Sequence, residues 1–97
     1  MIIKGHKVPV TNGRKPYPLQ GHQVLVKHFV VRITTPDNPF HPHAHEVPEF
    51  WYIIEGQALV QLGNEEYAVE GGDLIVIESW VKHGLRTTSQ ATWICLG

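Results

Sequence analysis

From Gln23 onward, β-branched and aromatic residues come in short runs, and glycine, proline, asparagine or aspartate separates each run from the next. Val24 to Thr34 is one long run, readable as two strands joined by a bulge, and Thr35-Pro36-Asp37-Asn38-Pro39 then turns the chain. His41 to His45 is extended, because the prolines at 42 and 48 disfavour helix on both sides. Glu49 to Ile54 predicts a strand ending at Glu55-Gly56, with Ala58 to Leu62 after it. Gly63-Asn64 makes a tight hairpin turn into Glu65–Val69. Glu70-Gly71-Gly72-Asp73 turns into Leu74–Ile77, and His83–Thr87 and Thr92–Leu96 complete the set. No window of about ten residues carries a 3.6-residue period, so helix is confined to a turn or two. Short strands at this spacing, with glycine-rich turns, predict an all-β sandwich or closed barrel. Residues 1–20 lack the pattern. Pro9, Asn12-Gly13, Pro16 and Pro18 punctuate an arm with at most a short edge strand near Lys7–Val10. A single domain is expected, with residues 1–20 as the arm and 21–97 as the barrel.

Composition narrows the function classes. A chain of 97 residues, 42% of them apolar, can build a core. At this size a metal or a second subunit is an expected source of extra stability. Eight Lys and Arg against nine Asp and Glu give a net charge of −1, which leaves no basic surplus to neutralise phosphates and argues against nucleic acid. The one cysteine, Cys95, excludes an internal disulfide framework and favours a reducing compartment. The longest apolar run, Phe50 to Ile54, is far too short for a membrane helix, and the N-terminal residues carry no hydrophobic signal core. A cytoplasmic protein with no membrane partner is therefore expected.

The seven histidines change the picture, because three of them fall within five positions. Imidazole is the commonest metal ligand and titrates near neutral pH. In an extended segment alternate side chains share a face, so His41, His43 and His45 point one way. Glu49 has the same parity, subject to a bulge near Val47-Pro48. Two imidazoles on one inward face and a carboxylate a few residues later can hold one ion, and His83 is the candidate for a further ligand. The residues alone also fit a solvent-exposed histidine tract that binds metal only adventitiously.

The stretch His43-Ala44-His45-Glu46-Val47-Pro48-Glu49, then six residues, then Gly56, resembles the first cupin motif. Gly72-Asp73-Leu74-Ile75-Val76-Ile77 through His83 is similar to the second. The chain departs from the family pattern in three places. Asp37 replaces the leading glycine, Glu78-Ser79-Trp80 replaces a Pro-x-Gly turn that normally shapes the loop before the histidine, and Thr87 replaces an asparagine. The resemblance implies a small double-stranded β-helix, or jelly-roll barrel, holding one divalent ion with His43, His45, Glu49 and His83. Three imidazoles and a carboxylate suit Fe, Mn, Ni, Co, Cu or Zn alike.

Other residues carry weaker expectations. His41, Trp51, Trp80 and Glu78 are candidates to line a pocket: His41 as a proton donor or rim residue, Glu78 as a general base or a solvated carboxylate. Trp93 is a further candidate wall or core residue. His28 and Arg32 share one face of the 24–34 run, opposite Phe29, Val31 and Ile33, and either face can be the inward one. His6 and His22 are expected at the surface, and Cys95 in the core. Tyr52 and Ile54 form an outward apolar stripe suited to a homodimer. Three functions fit. The first is a metal-dependent enzyme of oxygenase (dioxygenase-like) or isomerase type acting on a small polar molecule. The second is a non-catalytic small-ligand-binding or sensor protein, and the third an interaction protein stabilised by its metal.

Overall fold

In the computed structural model the described residues are 1, 3–23 and 25–97. They form an all-β jelly-roll barrel from strands β1 (Arg14–Pro16), β2 (Phe29–Thr34), β3 (Phe40–His43), β4 (Glu49–Leu62), β5 (Glu65–Glu70), β6 (Leu74–Ile77), β7 (His83–Arg86) and β8 (Ala91–Leu96). The backbone order is β1-β2-β8-β4-β7-β3, with β5 and β6 also pairing to β4, and every named pairing is antiparallel. The helical content of the described residues is a single 3-10 turn at Gly5–Lys7, and no helix is long and apolar enough to cross a membrane.

Strand β4 organises the molecule. The expected break at Glu55-Gly56 is instead a continuous strand of 14 residues whose register against β8 shifts between Ile53 and Glu55. Gly56 sits at φ +95°, and a Cβ there would collide with the Gln90 carbonyl oxygen, so only glycine passes this point without strain. The bulge exchanges faces. Before it Glu49, Trp51 and Ile53 are buried; after it Ala58 and Val60 are. The N-terminal half of β4 pairs with β8 and β6 and the C-terminal half with β5 and β7, so one strand serves both walls of the barrel.

The core lies between these walls. Trp51 and Trp93 are fully buried with ring centroids 4.4 Å apart, surrounded by Val30, Ile53, Val60, Ile75, Ile77 and Leu85. Both indole N–H groups are satisfied, Trp93 donating to Thr34 Oγ1 at 2.9 Å and Trp51 to Glu49 Oε1 at 3.1 Å.

The arm departs from expectation. Lys7–Val10 forms no strand, since Pro9 has no N–H to give a ladder. Asn12 and Gly13, both at positive φ, close a hairpin in which Thr11 and Arg14 exchange backbone hydrogen bonds, and this lays β1 against β2. Val24, the start of the long predicted run, lies outside the described residues; strand structure begins only at Phe29. The open question of which face turns inward is resolved by burial: Val30 and Thr34 are buried, so His28 and Arg32 belong to the inner side.

The outer face of the same wall is apolar. Phe50 registers with Val76 and Leu96, and Tyr52 with Leu74 and Ile94. Phe50, Tyr52, Ile54, Leu74 and Val76 are all exposed.

Candidate metal centre

The first histidines are placed by an irregular strand. Between Phe40 and His43 the β3 register against β7 slips, so that Phe40 opposes Leu85 and His43 opposes His83. The slip turns both Phe40 and His43 inward, three positions apart, where regular alternation would put them on opposite faces. His45 follows on the loop after β3, and Trp80 N–H donates to the His45 carbonyl at 2.8 Å, pinning that loop to the one before β7. The rings of His43, His45 and His83 converge, with centroids 4.5, 4.7 and 5.3 Å apart. One potential ligand atom from each lies within 4.8 Å of the other two.

Tautomers follow from the partners. His83 Nδ1 lies 2.7 Å from the Val81 carbonyl oxygen and His43 Nδ1 lies 3.2 Å from that of His41. A carbonyl only accepts, so in each ring Nδ1–H donates, and in the neutral ring Nε2 is then the nitrogen with a lone pair. His83 Nε2 is buried without a hydrogen-bond partner, and so is His45 Nδ1. Burial holds the His83 imidazole below its ordinary pKa, which keeps it neutral and able to ligate.

Glu49 sits between these rings. Its Oε1 accepts from Trp51 Nε1 and lies 3.6 Å from His83 Nε2; its Oε2 lies 3.5 Å from His45 Nε2 and 3.0 Å from His28 Nε2. Bonds of about 2.1 Å to a metal put neighbouring ligand atoms roughly 3 to 3.5 Å apart. The carboxylate–imidazole distances are of that size. The unpartnered Nε2 of His83, the two further imidazoles and the nearby carboxylate together form a donor set that fits a borderline divalent ion.

Strand periodicity alone does not orient His28; the structure brings it to the carboxylate. Its Nε2 also lies 3.4 Å from Cys95 Sγ. The Cys95 thiol is pushed up to about 12 by burial and by Glu49, so it stays protonated. The signal for His28 was its shared parity with Arg32, which marked a polar face without saying which way it turned.

The remaining candidates disperse. His41 is exposed and lines a shallow groove outside β3 with Pro42, Gln61 and Glu66, away from the ring cluster. Trp51 is buried in the core with its ring 5.3 Å from His83, so it backs the centre and holds Glu49. Trp80 is 66% exposed at φ +66°, and its backbone rather than its indole serves the site. Glu78 is exposed on an apolar cleft with Leu25, Val76 and Ser79. Trp93 is core, and His6 and His22 are at the surface. Thr87, at the altered motif position, is buried and donates to the Gln57 carbonyl at 2.7 Å.

Comparison with known proteins bears on the fold. The chain is similar over its full length to a predicted oxalate decarboxylase from Thermotoga maritima (TM-score 0.81, 15% identity, covering 99% of this chain and 96% of that one). It is similar to the Fe(II) form of HppE (TM-score 0.83, 18% identity, 99% and 59%) and to an RmlC-like cupin from Shewanella frigidimarina (TM-score 0.79, 17% identity, 97% and 86%). Among curated sequences, 46 residues are 39% identical to the uncharacterized protein y4oW of Sinorhizobium fredii, a match spanning 47% of this chain and 21% of that protein's length. The Cupin domain model matches residues 29–97, from β2 to the C-terminal residue, and the chain therefore belongs to the cupin domain family.

Proposed function

We propose that this cupin binds one divalent transition metal through His43, His45, His83 and Glu49 and acts as a metal-dependent enzyme, of oxygenase or isomerase type, on a small polar molecule. The observation that carries the reading is the buried, unpartnered Nε2 of His83, facing a carboxylate and two further imidazoles. Such an atom costs stability unless something satisfies it. A bound ion would supply Lewis acidity toward substrate oxygens. The chain's own part is positional. Val81 and His41 carbonyls fix two imidazole tautomers, and Trp51 and His28 hold the two oxygens of Glu49. His43 is exposed and His45 half-buried, so a small molecule can reach the cluster from its open side. The similarity to an Fe(II) protein and to one described as a predicted oxalate decarboxylase supports placing metal chemistry in this barrel. Metal analysis of purified protein, followed by azide addition to a Co(II)-loaded sample, tests the proposal. One ion per chain and a visible-spectrum change are expected. A sample that takes up no ion, or a bound ion indifferent to azide, contradicts an open catalytic centre.

The exposed apolar wall formed by Phe50, Tyr52, Ile54, Leu74 and Val76 supports a homodimer through that face. Tyr52→Glu should shift the protein to monomer in sedimentation. An unchanged mass would remove this face from consideration. The lone, buried, protonated cysteine supports a reducing, cytoplasmic setting.

A further inference from the structure

Arg32 is an inward-facing cation that no carboxylate among the described residues pairs with directly. Its guanidinium carbon lies 4.5 Å from the centroid of the Phe40 ring and 5.7 Å from that of Trp93, so two aromatic faces fix its place. Phe40 is also a neighbour of the histidine cluster, with its ring centroid 4.8 Å from that of His43. Arg32 Nε is buried without a hydrogen-bond partner, and among the described residues Arg32 enters no salt bridge. Cys95, which also acts on Arg32, is a protonated thiol and brings no negative charge, and Glu49 acts on Arg32 only through space.

A second observation, from register, points the same way. Arg14 of β1 lies directly opposite Arg32 of β2, and residues so paired share a face. Like charges in that arrangement repel, and an anion lying against both relieves the repulsion. Glu49, the acidic residue of this interior, is already held by His28 and Trp51.

We infer that Arg32, supported by Arg14, anchors a carboxylate of the small molecule that reaches the histidine cluster, so that the substrate class is a small organic acid. Its identification as substrate rests on the proposed metal-dependent function; the anion site itself rests only on Arg32 and Arg14. A planar guanidinium matches a carboxylate through paired N–H donors, and the free Nε–H is one of them.

Malonate and its neutral counterpart malonamide separate charge recognition from shape. In the metal-free protein, labelled with nitrogen-15, malonate should shift the Arg32 Nε–Hε signal saturably and malonamide should leave it in place. In Co(II)-loaded protein, Arg32→Gln should weaken malonate binding by about tenfold or more while the azide response stays intact; Arg32→Lys should recover part of the loss. An Arg32 signal indifferent to malonate, or an Arg32→Gln variant that binds malonate as the wild type does, overturns the inference. The titration of the unaltered protein decides the matter even where Arg32→Gln fails to fold. A malonate shift in a protein that takes up no Co(II) upholds the anion site and overturns the metal reading. Normal Co(II) and azide binding with no malonate effect at Arg32 does the reverse.

Discussion

Two concave regions of this barrel invite comparison. One is a cleft of about 450 Å³ between the β4–β5 hairpin and the loop after β7, lined by Gln57, Glu70, Asp73, Arg86, Thr87 and Ser89 among others. The other is the space among His43, His45, His83 and Glu49. In the cleft the polar groups have found one another. Thr87 donates to the Gln57 carbonyl and accepts from Ser89 N–H at 3.2 Å, Asp73 accepts from Glu70 N–H at 2.8 Å, and Arg86 makes a paired contact to Glu66 at 3.0 and 3.2 Å. At the histidines, buried nitrogens of His83 and His45 have no partner. A roomy cleft whose polar groups are already paired is a weaker candidate than its volume suggests. Native proteins leave few buried polar atoms unsatisfied, so the region that does so is the better candidate for holding a ligand.

The comparison can be broken by mutation. His83→Ala should abolish stoichiometric metal binding, lowering affinity more than about a hundredfold, because it removes a buried donor where supporting contacts alone are worth ten- to a hundredfold; calorimetric titration with Co(II) measures it. His28→Ala should cost about tenfold in the same titration, since it frees one Glu49 oxygen without removing a ligand. Equal losses for the two variants would erase the distinction between ligand and support.

Acid should also act at the histidine end. Burial depresses the His83 pKa below its ordinary value of 6.5, so the unfolded chain takes up that proton first. The metal-free protein should therefore lose stability as pH falls below about 6.5 toward the folded-state pKa, and urea unfolding across that range measures the slope. A flat profile would show that His83 is not held neutral by the fold. In the cleft, Thr87→Val should cost about 1 kcal/mol through its lost hydrogen bond to Gln57, leaving metal affinity and the acid profile unchanged. A Thr87→Val variant with impaired metal binding would make the two regions one.

Much of the fold was legible in turn chemistry. Gly63-Asn64 and Gly71-Gly72 mark the turns around β5 because glycine reaches the positive φ found at Gly63 and Gly72. The same logic misread Gly56, where a positive-φ glycine sits inside a strand as a bulge and not at its end. The distinction depends on Gln90, 34 positions away in sequence, and is invisible locally. At the candidate site, the residues of the first motif and His83 were legible as a spacing pattern, and the structure gathers them. His41 was grouped with them by simple alternation, which the slip between Phe40 and His43 breaks. The inward turn of His28 and Arg32 could not be read, because both faces of their strand carry bulky side chains. Only the partner strand β8, with Trp93 and Cys95 against them, decides it.

The central claim is that one ion is held by imidazole and carboxylate alone. Among the described residues a second group, His28, Glu49 and Cys95, could also gather around a metal, and it would bring sulfur to the ion. X-ray absorption of the Co(II)- or Zn(II)-loaded protein separates the two directly. A shell of nitrogen and oxygen only is expected, with several imidazole contributions, lost in His83→Ala. A sulfur neighbour near 2.3 Å, a distance expected for a metal thiolate, or a spectrum unchanged in His83→Ala, would contradict it.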